Sequence, residues 1–137
     1  MIKKIPFNIF KQGQYLAMDF NALMAVEQLT NRPIGEIIKR SASLDLTALT
    51  AILSVAVHEA DGKQLLLTPK YYAKKIQEYL LESDSSNIDE IMEPVTKVLI
   101  TTGIMGKSLY LTIFPQEETK ELKKAAEIEM EEIEKNA

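Results

Sequence analysis

One stretch of the chain invites a chemical reading before any other. Gly103-Ile104-Met105-Gly106-Lys107-Ser108 ends as a phosphate-binding loop ends, with a lysine to reach phosphate oxygens and a hydroxyl for magnesium. Val98-Leu99-Ile100 passes for the strand that should precede it. The full pattern also needs a glycine five residues before Gly106, where Thr101 stands. It needs a metal-holding aspartate downstream, and no aspartate follows Ser108. The stretch therefore reads as a glycine-loosened helix end, with Lys107 near the last carbonyls. His58 is the only histidine, with Ser54 one turn before it and Asp61 three residues after it. Those are the residue types of a hydrolase triad, but two such neighbours on one helix arise readily by chance. A half-buried ring near a helix end, held by a carboxylate or a carbonyl, accounts for the same spacing.

The remaining candidates are weaker. Asp84, Asp89 and Glu90 flank a serine-rich loop without the glycine and ligand spacing of a calcium loop. Tyr71, Tyr72 and Tyr79 could stack on bases, yet Tyr72 and Tyr79 at helical spacing fit a core better. There is no cysteine, hence no thiolate metal site, disulfide or cysteine nucleophile. No catalytic, cofactor-binding or metal-binding residue is assigned, and the chain is not expected to be an enzyme.

Charge narrows the partners. Residues 1–116 carry twelve basic and twelve acidic side chains, whereas residues 117–137 carry eight glutamates and four lysines. The whole net charge of −4 therefore lies in the last segment. Arg32 and Arg40 are the only arginines, so no basic footprint exists for a phosphate backbone and nucleic acid is not an expected partner. No apolar run is long enough to span a bilayer, and MIKKIPFNIF lacks the apolar stretch of a secretory signal. Membrane is excluded as a partner, and a cytoplasmic protein is expected.

Most positions thus belong to a scaffold, expected to be mainly α. It is a compact helical domain over 1–116 with a small N-terminal β-hairpin at 5–20, followed by a charged helical tail over 117–137. In the hairpin Ile5, Phe7 and Ile9 alternate, Gly13 serves the turn, and Leu16, Met18 and Phe20 alternate on the return. Asp19 or Asn21 caps a helix over 21–31 with Ala22, Leu23, Val26 and Leu29 inward. Pro33 opens a short helix to about Ser41 with Ile34, Ile37 and Ile38 inward. Asp45 caps a third helix, whose stripe Leu46, Leu49, Ile52, Leu53, Ala56, Val57 and Ala60 runs to an Asp61-Gly62-Lys63 stop. Thr68-Pro69 starts a fourth, with Tyr72, Ile76, Tyr79 and Leu80 on one face. Asn87 and Glu90 form a capping box for a fifth, lined by Ile88, Met92, Val95 and Leu99, in which Pro94 should kink or divide the helix. Residues 108–114 fit strand and helix alike.

The tail carries the candidate binding surface. Leu122, Ala126, Met130 and Ile133 fall on one helical stripe among glutamates and lysines. So thin a stripe leaves a lone helix marginal in water, because ordering each residue costs about 1–2 kcal/mol. It must dock on the body, bind a partner, or stay disordered.

The stretch from Tyr15 to Asp61 resembles a known family. Asp19-Phe20-Asn21-Ala22-Leu23, Glu27, the short helix around Ile34–Ile38, then Leu46, Leu49 and Ile52 leading into Ala56-Val57-His58-Glu59-Ala60-Asp61 look like the tail-assembly chaperones of siphophages and gene transfer agents. The family's usual ending is His-Glu-Asp, which Ala60 interrupts here. The resemblance implies a non-enzymatic helper in the bacterial cytoplasm. Such a helper binds the tape-measure protein and the tail-tube protein before assembly, is absent from the finished virion, and has no cofactor. It leaves self-association open and supplies no catalytic residues. Two other readings stand beside it. One is a structural virion subunit such as a tail terminator or connector. The other is a helical DNA-binding regulator built on 21–31 and 33–41, with Lys39 and Arg40 facing phosphates.

Overall fold

A computed structural model describes residues 2–40, 43–117 and 119–136. The chain is mainly helical, as its apolar periodicity implies. In order come β1 (Ile5–Pro6), β2 (Tyr15–Leu16), α1 (Phe20–Thr30), α2 (Ile34–Lys39), α3 (Leu46–Ala56) and β3 (Val57–His58). They are followed by α4 (Pro69–Glu82), α5 (Asp89–Thr101), α6 (Lys107–Ile113), a 3-10 turn (Pro115–Glu117) and α7 (Lys120–Asn136).

The N-terminal hairpin forms, with Ile5 opposite Leu16 and Gly13 at φ +89° between the strands, but it is shorter than expected. Ile9 and Met18 lie outside the paired residues, and Phe20, expected on the return strand, is the 57% exposed first residue of α1. The sheet, however, has a third strand, in the order β1-β2-β3. Val57 and His58 were expected on the third helix. They leave it after Ala56 and pair antiparallel with Leu16 and Tyr15. Ala60, expected on the same stripe, lies exposed in a turn. That turn closes with Glu59 N–H donating to the Lys63 carbonyl at 2.8 Å. Gly62, φ +96°, serves this turn rather than a helix C-cap. A β-branched valine and a ring stacked on Tyr15 gain more from the sheet than from a further helical turn.

α3 is the centre of the molecule. From Ala48 to Ala56 every residue is buried, with α1, α4, α5 and β2 around it. Only a helix without charge can be buried on every side, and none lies between Leu46 and Val57. Its two buried hydroxyls are satisfied: Thr50 donates to the Leu46 carbonyl at 2.8 Å and Ser54 to that of Leu67. Leu46 and Leu29, both expected inward, are instead 54% and 47% exposed at helix ends.

The caps work as read. Asp19 accepts from Ala22 N–H at 2.9 Å, Asp45 from Ala48 N–H, and Thr68 from Tyr71 N–H. Asn87 and Glu90 exchange their reciprocal bonds at 2.9 and 3.3 Å. α5 runs unbroken through Pro94, the sixth of its thirteen residues, where a kink or division was expected. There the proline removes one donor without ending the helix.

Tyr72 illustrates the packing of α4. It is 1% exposed, edge-on to Tyr71 and tilted against Phe10, and its hydroxyl has no partner among the described residues. Burial, with Tyr71 and Glu59 adding to it, pushes its pKa up to about 12. Tyr72→Phe removes an unpaired buried oxygen and keeps the ring. The expected result in urea unfolding is a change between zero and about 2 kcal/mol of added stability. A loss above about 1 kcal/mol would show that the hydroxyl is bonded after all.

Candidate functional site

His58, Ser54, Asp61 and Lys107, which invited a chemical reading, are each bonded within the fold. His58 Nδ1 lies 2.8 Å from the Ala56 carbonyl, and its ring stacks on Tyr15 at 5.0 Å between centroids. The half-buried, carbonyl-held ring is as expected, though on a strand. Ser54 bonds away to Leu67, and Asp61 accepts from Lys63 N–H at 2.9 Å. No group of three metal-ligating side chains occurs among the described residues. Val98-Leu99-Ile100 belongs to α5 and is no strand.

The resembling residues between Tyr15 and Asp61 also join elements together. Glu27, on α1, accepts from Ile34 N–H at 2.8 Å and so caps α2 across the Asn31-Arg32-Pro33 break. Arg32 pairs with Asp45, reaching Oδ1 from Nη2 at 3.2 Å. The Arg32 guanidinium holds the Asp45 carboxyl below the usual carboxylate range. Asp45 thus ties that break to the first turn of α3. Sequence reading found Asp45 as a cap but missed both cross-links, because their partners lie seven and thirteen residues away.

The candidate binding stripe sits on α7, and its position depends on α6. Residues 108–114, ambiguous by pattern, are helical up to Ile113. Lys107 is the first residue of that helix, not the last of the one before it, which corrects the expected placement. Gly106 precedes it at φ +101° and offers no side-chain cap. The exposed N–H groups are met from the tail. Glu129 accepts from Lys107 N–H at 3.0 Å through each oxygen and from Ser108 N–H at 3.4 Å. Lys107 Nζ adds an ion pair at 3.7 Å, and Ser108 Oγ donates to the Ala126 carbonyl at 3.3 Å. These backbone bonds, Lys107 first, hold the Glu129 carboxyl below its ordinary range. The contact is therefore complete above ordinary glutamate pKa values and weakens as pH falls through the depressed one. Where the loop-like sequence suggested phosphate, a carboxylate of the same chain is bound.

At its other end this hairpin is fastened to the N-terminal segment. Glu117 accepts from Tyr110 Oη at 3.1 Å and pairs with Lys3 at 2.8 Å, and Lys3 lies over the Phe114 ring. The expected division of the chain at 116/117 falls within the 3-10 turn that carries Glu117.

α7 thus runs back along α6, and the two lengths differ. Seven residues of α6 make about 10 Å, seventeen of α7 about 25 Å. Leu122 and Ala126 are half-buried, and Ala125 with them. Met130 and Ile133 lie past Glu129, beyond the start of α6, and are 47% and 60% exposed. The four stripe residues are therefore divided into a covered pair and an open pair. No helix among the described residues is long and apolar enough to cross a membrane.

No protein-family model, no curated protein and no solved structure matches the chain.

Proposed function

We propose that this chain is a non-enzymatic tail-assembly chaperone of a long-tailed phage or prophage. It acts in the cytoplasm of the bacterial host. It binds the tape-measure protein, the tail-tube protein or both before the tail is built, and it is left out of the finished virion. The single observation that carries the protein-binding part is α7. Its Met130 and Ile133, and Ile128 beside them, are exposed apolar side chains on a charge-rich helix that contributes nothing to the buried core. An amphipathic helix with apolar anchors three or four residues apart suits a partner's groove. The tail-specific part rests on the resemblance between Tyr15 and Asp61. In support, His58 and Lys107, two of the residues that invited a chemical reading, are bonded within the fold.

Co-expression with a tape-measure protein and a tail-tube protein from the same phage or prophage tests this reading. The tagged chain is expected to retain at least one of them through a wash at moderate salt. Mass spectrometry of purified particles is expected to find no copies of it. Recovery in stoichiometric amounts from particles would make it a structural subunit instead.

A further inference from the structure

We propose that the α6–α7 contact is a releasable latch, with Glu129 as its catch, that controls how much of the α7 stripe a partner can reach. The proposal deepens the reading above and rests on it for the identity of the partner. In the closed state Leu122 and Ala126 are half-buried on the helix that packs along α6, and Met130 and Ile133 stand open. A groove that takes all four must displace α6, so partner and α6 compete for one face of the same helix.

Four observations make this contact suited to release. The first two backbone N–H groups of α6 and Lys107 Nζ converge on one carboxylate, so removing Glu129 loses those bonds together and leaves the Ser108 Oγ bond to the Ala126 carbonyl. α6 buries no residue, and none of the described side chains on α7 is buried, so little core is broken when they part. Gly106 lets the carboxylate approach: a Cβ there would stand 2.8 Å from Glu129 Oε1. Finally, α7 is poorly patterned as a helix by itself. Lys120, Lys123 and Lys124 outnumber Glu121 at its start, and Glu131, Glu132 and Glu134 outnumber Lys135 near its end, so the balance of charge at each end opposes the macrodipole. Such a helix needs company. Closed, it has the positive start of α6 beside its acidic half; open, it needs a groove with a basic rim.

Hydrogen exchange on the full-length protein, with no partner added, tests the latch. Glu129→Gln keeps size and removes charge. It is expected to speed exchange across residues 120–128 roughly tenfold or more, the scale of one lost charge-assisted bond, while residues 46–56 stay unchanged. Gly106→Ala, which crowds the carboxylate from the other side and puts a side chain at φ +101°, is expected to do the same. Equal exchange in all three proteins overturns the latch. So does acceleration of 46–56 in step with 120–128, because α7 would then open only when the whole fold does. Either result leaves the partner-binding reading untouched, since that is judged by co-purification. Where the wild-type chain captures the tape-measure protein, Glu129→Gln should capture it at lower concentration, as less of the chain is held closed. Weaker capture would mean that the contact builds the binding surface and does not mask it.

Discussion

Leu53→Ala is expected to remove about 2–5 kcal/mol of stability, the range for deleting a fully buried leucine whose surroundings close only in part. Leu53 has no exposed surface, and the helix that carries it is walled by α1, α4 and α5. A hole there cannot be filled by sliding one neighbour, because the sheet holds the C-terminal end of α3 through the Ala17 N–H bond to the Ala56 carbonyl at 3.0 Å. Urea unfolding should show a lower midpoint at unchanged slope. Leu46→Ala supplies the control. It lies on the same helix but is 54% exposed, and should cost no more than about 0.5 kcal/mol beyond its propensity change. Equal costs at the two positions would contradict the central placement of α3.

Truncation after residue 118 is expected to abolish partner capture while the body still unfolds in one cooperative transition. The fully buried cluster runs from Ile5 to Leu99, and α7 contributes nothing to it. The loss of helix should nevertheless exceed the seventeen residues of α7. Without Glu129 the N–H groups at the start of α6 lose their acceptor, and a seven-residue helix without a cap frays. Circular dichroism measures the first effect, and co-purification with the tape-measure or tail-tube protein the second. A truncated chain that no longer folds would make α7 part of the stabilising structure. One that captures both partners normally would move the binding surface onto the body.

The chain was most legible where the physics is local. Caps are of this kind: Asp19, Asp45, Thr68 and the Asn87–Glu90 pair act within three residues of themselves, and each forms as read. Stripes are also local, and Leu23, Val26, Ile37, Tyr72 and Val95 turn inward as their spacing requires. The position of Lys107 was misread for a reason of the same sort. A glycine before Lys-Ser marks a break between helices, and the sequence shows that break without showing on which side the lysine falls. The encirclement of α3 had a signal that periodicity alone passes over, namely twelve residues from Leu46 to Val57 without one charge.

What the sequence by itself determined, then, is the class of the fold, the starts of its helices, the confinement of net charge to the tail, and the apolar face of that tail. These follow from 3.6-residue spacing, short-range capping bonds and composition, none of which needs a distant residue. The tertiary structure alone decided three things. Val57 and His58 left a helix to join Tyr15 and Leu16, because a sheet edge forty residues away in sequence had a place for them. Glu27 and Arg32 became the links around α2, because the break between α1 and α2 brought Ile34 and Asp45 within reach. Glu129 met Lys107 across twenty-two residues and closed half of the tail's stripe against α6, leaving Met130 and Ile133 open. In each case the deciding partner is remote along the chain, and the favourable bond exists only after the entropy of bringing the two segments together has been overcome.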